Sequence, residues 1–286
     1  MAAPTKIRLW RSLMTSPLKL EAKPDLDARV AAIEREGFAY FPGILDAEGV
    51  ASLREAIDRL TAVEAAFDRD SVSAEGFREK HIKCVFNRDP MFLRFLDMPE
   101  VIDLAEAILG VQDNRGRQTD CHIIGMTAWI TGPGREDQKL HVDWRPFDLP
   151  EDIAADPRVK LPVMAATAHY YLDDLDEELG PTKFVPGSHR AGRRPDGDTQ
   201  WGDVEEQSAL CRAGDAVLFR SEVWHRGTAN RSRRTRYLLQ VHYANRMVTQ
   251  KFPPYLGGFA FLESILAQAT PRQRRLMGDH QAGAYD

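Results

Sequence analysis

A His-Val-Asp triplet, His141 to Asp143 in the run LHVDWRP, stands far upstream of another histidine, His225 in VWHRGTANRSRRTR. Two imidazoles and one carboxylate can occupy one face of an octahedral metal ion and leave three positions open, the ligand set of non-heme Fe(II) oxygenases. That geometry constrains the fold. Residues two apart in a strand project to the same side, so His141 and Asp143 can reach one ion together if LHVD is extended. The third ligand must then arrive from another strand. Arg236 follows His225 by eleven residues and opens the apolar run YLLQVHYA. An arginine aimed into a barrel needs an anionic partner, because a buried unpaired charge is costly. The far carboxylate of a dicarboxylic acid suits a planar guanidinium, which grips it through two parallel hydrogen bonds. His-x-Asp alone is common by chance and most such pairs bind nothing. The company of His225, Arg236 and the intervening GPTKFVPGSHR, residues 180–190, sets this one apart.

The hydrophobic pattern changes character along the chain. LDARVAAIERE, residues 26–36, has helical spacing and a stop at Gly37. FAYFPGIL reads as a short strand ending near Pro42, and Asp46 as the cap of a helix through AEGVASLREAIDRLTAVEAAF. PEVIDLAEAILG predicts a further helix closed by Gly110. After residue 115 come CHIIGMTAWI, MAATAHYYLDD, TKFVPGS, DAVLFR and RYLLQVHYA, short strand-like runs separated by Gly, Pro and Asp. Helices first and strands second predict a mainly β fold with flanking helices: a double-stranded β-helix, the jelly-roll or cupin-like barrel, buttressed by N-terminal α-helices. One domain over 1–286 is expected, with an arm at 1–24, a helix-rich flank at 25–115, a barrel core at 116–246 and a covering segment at 247–286. The helix predicted at FAFLESILAQA either covers the barrel or joins a homodimer contact.

Composition removes several function classes. Hydrophobic residues at 43% suffice for a substantial core, and a net charge of −5 argues against a nucleic-acid partner. No apolar run is long enough to span a bilayer, so no membrane role is expected. MAAPTKIRLWRSLMTSPLKL is basic without a continuous apolar core and makes a poor secretory signal. Cys84, Cys121 and Cys211 are too widely spaced for a zinc knuckle and suit a reducing, cytoplasmic setting.

The stretches GFAYFPGIL, LHVD, YYLDDLDEELGPTKFVPGSHR and GDAVLFRSEVWHRGTANRSRRTR resemble the phytanoyl-CoA dioxygenase family of Fe(II)- and 2-oxoglutarate-dependent oxygenases, from about Gly37 to about Tyr243. The resemblance implies that His141, Asp143 and His225 hold Fe(II), that Arg236 binds 2-oxoglutarate, and that Gln138 and Thr182 make further cosubstrate contacts. It also implies that O2 takes the remaining metal site, that 2-oxoglutarate is split to succinate and carbon dioxide, and that a small-molecule substrate is hydroxylated or otherwise oxidised. The intact Asp143 speaks against halogenation, since related halogenating enzymes have a small residue there. Many members carry serine two residues after the distal histidine; this chain has Gly227, with Thr228 as the candidate replacement.

Trp144 and Arg145, followed by Phe147, are expected at the pocket rim, where Arg145 either meets an anionic substrate or pairs with one of the acids in DLPEDIAAD. HRAGRRPDGDTQWGDVEE is long and polar and suggests a lid. His122, His169, His189 and His242 read as braced structural histidines, since the triad is already complete. His81 and Lys83 belong either to the pocket mouth or to a solvated helix or loop. Two alternatives remain at this stage: a cupin-type metalloenzyme that does not use 2-oxoglutarate, and a non-catalytic binding protein on the same barrel.

Overall fold

The computed structural model describes residues 25–64, 79–110, 121–252 and 259–280, so the arm at 1–24 lies outside the described residues. Helix α1 (Leu26–Glu36) begins where the Asp25 carboxylate accepts from Ala28 N at 2.8 Å. It ends at Gly37, whose φ of 89° is cheap only without a Cβ. The chain then enters β1 (Phe38–Phe41) directly, as the apolar run FAYF predicts. Helix α2 (Ala47–Glu64) starts at Asp46, whose Oδ1 accepts from Gly49 N at 2.7 Å. Helix α3 (Val101–Leu109) stops at Gly110, but φ there is −69°, an ordinary value, so the left-handed glycine cap expected from the sequence does not form.

Ten more strands follow: β2 (Glu79–Lys83), β3 (Cys121–Thr131), β4 (Ala165–Tyr171), β5 (Thr182–Phe184), β6 (Gln200–Trp201), β7 (Val204–Glu205), β8 (Gln207–Ser208), β9 (Ala216–Arg220), β10 (His225–Gly227) and β11 (Arg236–Asn245). Six make an antiparallel major sheet in the order β1-β9-β4-β11-β3-β2, and β10-β5-β8 make a minor sheet. The segment 138–143 extends the minor sheet: Gln138 N donates to Gly227 O at 2.9 Å, and His141 and His225 exchange both backbone bonds at 3.0 and 2.9 Å. This is the jelly-roll arrangement that the strand pattern predicts. Two strands of the expected helix-rich flank, β1 and β2, form the outer edges of its major sheet.

Alternation along the major sheet separates two environments. On its outer face Ala39, Phe41, Ile123, Met126, Ala128, Ala168, Leu239, Val241 and Tyr243 share one buried cluster with Ile33 of α1, Leu53 and Ile57 of α2 and Leu104 of α3. Each fully buried side chain of Leu or Phe size contributes about 1.5–3 kcal/mol there. Between the sheets, Phe38, Phe184, Phe219, Val217 and Leu238 close one end of the barrel. The other end stays open and polar.

The C-terminal segment is less helical than its pattern predicts. Only Glu263–Leu266 (α4) is helical before Thr270 caps α5 (Pro271–Leu276) through a reciprocal bond with Gln273. Its Phe259 and Phe261 pack against Phe86 and Phe252 of the same chain. Among the described residues no helix is long and apolar enough to cross a membrane.

Gly180 shows why GPTKFVPGSHR tolerates little change. Its φ is +82°, and a Cβ there would lie 2.6 Å from the carbonyl oxygens of both Thr228 and Ala229. Backbone cannot yield as a flexible side-chain tip can. Gly180→Ala is expected to cost more than about 2 kcal/mol, from left-handed strain plus the clash. A urea unfolding midpoint equal to that of the unsubstituted protein would contradict this.

Candidate metal centre and its cavity

The inner face of the major sheet is a grid of rows set by strand register. One row reads Glu79, Thr131, Arg236; the next His81, Trp129, Leu238, Tyr171; the next Lys83, Thr127, Gln240, His169; the last Gly125, His242, Thr167. The register slips by one residue between His242 and Tyr243, leaving Ile124 as a bulge beside the site. The minor sheet faces this grid with His141, Asp143, His225, Gln138 and Thr182. Together they line a cavity of about 450 Å³.

His141, Asp143 and His225 each offer one ligand atom, all within 4.8 Å of one another. Their local chemistry aims them. His141 Nδ1 lies 2.8 Å from Lys139 O, and His225 Nδ1 lies 2.9 Å from Val223 O. A carbonyl only accepts, so each ring carries a proton on Nδ1 and directs its Nε2 at the site. Asp143 Oδ2 accepts from Thr167 Oγ1 at 3.0 Å, while Oδ1 lies 3.5 Å from His225 Nε2. Each ligand thus has one atom anchored and one free, which is how a site fixes metal-ligand orientation. Burial opposes the Asp143 charge, but His225 beside it outweighs burial and holds the carboxyl well below its usual range. Burial disfavours charge on His225 too, yet Asp143 beside it raises its pKa. The donor set of two neutral nitrogens and one carboxylate could hold a divalent cation with positions to spare.

Arg236 sits at the other end of the grid, 6% exposed. Its only described hydrogen bond is a long one, 3.4 Å to Thr131 Oγ1, and its Nε and Nη1 have no partner among the described residues. Burial, then the neighbouring Arg135, lowers its pKa, but a guanidinium stays charged in a protein. A buried cation with two unused donors calls for an anion. Gln138 and Thr182 both line this end. Gln138 Oε1 accepts from Gly227 N at 2.8 Å.

Thr228 does not replace the serine that Gly227 displaces. Its hydroxyl turns away and donates to Pro181 O at 2.6 Å. The space at Gly227 is taken by Gln138 and by Arg135, whose Nη1 would lie 3.4 Å from a Cβ at that position. Arg135 donates to Gly227 O and pairs with Glu79 at 3.2 Å. Neither Arg135 nor Glu79 is legible as a site residue in the sequence.

The rim assignment fails for Arg145. Its guanidinium is buried and donates to His189 O at 2.9 Å, away from the cavity lining. Trp144 does not line the cavity either; it packs on Ile124, Ala165 and Ala244. The stretch expected to be a lid, residues 189–206, does not line the cavity: Arg193 pairs with Asp198, Trp224 Nε1 donates to Arg193 O, and β6 and β7 form a hairpin. The pocket-mouth reading of His81 and Lys83 holds, on an edge strand rather than a helix or loop. His122 and His189 do brace carbonyls, at 2.8 Å to Val248 O and 3.2 Å to Glu34 O. His169 and His242 are also hydrogen-bonded, but both line the cavity. A signal for His242 and Gln240 was present: once Arg236 points inward, every second residue of β11 must follow it.

A model of the phytanoyl-CoA dioxygenase family matches residues 33–237. The chain belongs to the phytanoyl-CoA dioxygenase family. Among relatives of this member, the dioxygenase cdmD of Talaromyces verruculosus is 24% identical, over 92% of this chain and 86% of its own. The solved structure of EctD from S. alaskensis with bound Fe superposes with a TM-score of 0.60 at 20% identity, covering 81% of this chain and 80% of that one. The epimerase SnoN in complex with Fe3+, alpha ketoglutarate and nogalamycin RO gives 0.59 at 21% identity, covering 83% and 93%. At such identities these likenesses show the shared barrel.

Proposed function

We propose that this protein is an Fe(II)- and 2-oxoglutarate-dependent oxygenase that oxidises, in the simplest case hydroxylates, a small anionic metabolite with release of succinate and carbon dioxide. One observation carries the reading: a His-Asp-His ligand set and a buried arginine with two unused donors open into the same cavity. Iron with 2-oxoglutarate and O2 would supply the oxidising power that no side chain has. His141, Asp143 and His225 would hold the metal through atoms whose neighbours are already anchored. Arg236 would grip the far carboxylate of the cosubstrate, with Gln138 and Thr182 beside it. The barrel wall around Leu238 and Trp129 would keep bulk water off the reacting face.

The anionic class follows from charge. Cavity cations are Lys83, Arg135, Arg236 and Lys251; its carboxylates are Glu79 and Asp143, so four positive charges face two negative. Fe(II) and the 2-oxoglutarate dianion cancel, leaving an excess of two in a chain whose net charge is −5. Such a local field draws anions. The lysines at the mouth take over the role that the sequence suggested for Arg145. Reversing both, Lys83→Glu with Lys251→Glu, is expected to raise the substrate KM roughly tenfold, from two largely solvated charges. The 2-oxoglutarate KM should change far less. Equal effects on both constants would contradict the assignment to the mouth.

The test of the reading is succinate formation. The purified protein should convert 2-oxoglutarate to succinate only with Fe(II) and O2 present, faster when a metabolite screen includes the substrate. An iron-loaded protein that forms no succinate across the screen and without it would overturn the proposal.

A further inference from the structure

Thr167 lies on β4 between a metal-ligand candidate and a histidine of the opposite register position. Its Oγ1 is 3.0 Å from Asp143 Oδ2 and 3.0 Å from His242 Nδ1. A hydroxyl has one proton to give. A carboxylate only accepts, so the threonine proton goes to Oδ2. The threonine oxygen must then receive a proton from His242, which places that ring's proton on Nδ1. Burial first of all keeps the ring neutral, with a pKa lowered to about 4. A neutral ring protonated on Nδ1 has a bare lone pair on Nε2.

That nitrogen has no hydrogen-bond partner among the described residues, while the His242 ring lines the cavity. Opposite it in the row stands Gly125, where a Cβ would come 3.7 Å from His242 Cδ2. The glycine leaves the space over that edge of the ring open. In the next row His169 and Gln240 bond each other at 2.8 Å, so the neighbouring polar pair is already occupied.

We infer that the chain Asp143–Thr167–His242 holds His242 Nε2 as a hydrogen-bond acceptor in the substrate compartment, and that the substrate places an O–H or N–H donor against it. His242 is then a positioning residue that reads the substrate. The substrate class narrows to small carboxylates bearing a hydroxyl or amine donor, with the carboxylate toward Lys83 and Lys251. The inference rests on the oxygenase reading for the identity of that compartment, whereas the hydrogen-bond chain itself stands on the geometry of the protein alone.

The test uses the full chain with 15N-labelled histidine. In the metal-free protein at pH 7, imidazole 15N shifts should show His242 protonated on Nδ1 and bare on Nε2. Thr167→Ser should keep that tautomer, and Thr167→Val should lose its dominance. A proton on Nε2 in the unsubstituted protein, or a Thr167→Val variant with an unchanged ring, overturns the inference. The second arm loads the protein with Zn(II), which is diamagnetic, and 2-oxoglutarate. It is then titrated with small hydroxy- and amino-carboxylates and with matched carboxylates lacking the donor. Donor-bearing probes should move the Nε2 resonance, and donor-free ones should leave it. His242→Asn, which can still reach Thr167 but has no Nε2, should weaken donor-bearing probes by up to about tenfold, the worth of one hydrogen bond. No probe moving Nε2, or donor-free probes moving it as far, overturns the inference. Failure to take up Zn(II) with the tautomer pattern intact would instead count against the oxygenase reading.

Discussion

Asp143→Ala is expected to reduce 2-oxoglutarate turnover to below about one per cent of the unsubstituted rate. Substituting groups that merely orient metal ligands already costs 10–100-fold, and this change removes a ligand. Asp143 is the only anion among the three ligand candidates, so its loss leaves two neutral imidazoles facing a divalent ion. The fold should survive. The Asp143 side chain is 29% exposed at the cavity, and its described side-chain partners are Thr167 and His225 rather than the core. The expected pattern is therefore a variant with the native circular dichroism spectrum, iron affinity weaker by at least about a hundredfold, and no succinate. Full turnover in an iron-loaded variant would show that the carboxylate is not a ligand.

Arg236→Ala should act on the other partner of the site. Removing one member of a buried charge pair costs about 2–4 kcal/mol, which corresponds to roughly a 30- to 700-fold rise in the 2-oxoglutarate KM. Arg135 remains beside the vacated position and supplies residual positive charge, so the lower half of that range is expected. Fe(II) affinity should hardly move, because among the described residues Arg236 bonds to Thr131 and to none of the three ligands. Arg236→Lys should recover part of the loss, since an ammonium keeps the charge but not the two-pronged fit. An unchanged KM in Arg236→Ala would remove this residue from the cosubstrate site.

The parts of the site that lie on regular strands were legible in the sequence. Alternation places Arg236 inward on β11, and it would have placed Gln240 and His242 inward as well. Adjacency is a weaker guide than alternation: Arg145 is expected at the rim because it follows the metal pair directly, but Asp143 N and Trp144 N both turn to Ser221 O. The chain bends there, and Arg145 swings behind the sheet to His189 O. Strand β2 escaped notice because its inward residues, Glu79, His81 and Lys83, face a polar cavity, so only Ile82 marks the buried side. Arg135 sits outside any regular element, and only the long-range pairing of its loop with Gly227 brings it to the site. Helix α1, β1 and the start of α2 were readable because each boundary is set locally, by Asp25, Gly37 and Asp46.

The most direct measurement is an anaerobic titration of the purified protein with Fe(II) and then 2-oxoglutarate, followed by visible absorption. A shared site predicts a metal-to-ligand charge-transfer band that saturates at one equivalent of iron, is absent in Asp143→Ala, and needs far more 2-oxoglutarate in Arg236→Ala. A protein that binds iron but develops no such band at any 2-oxoglutarate concentration would contradict the account.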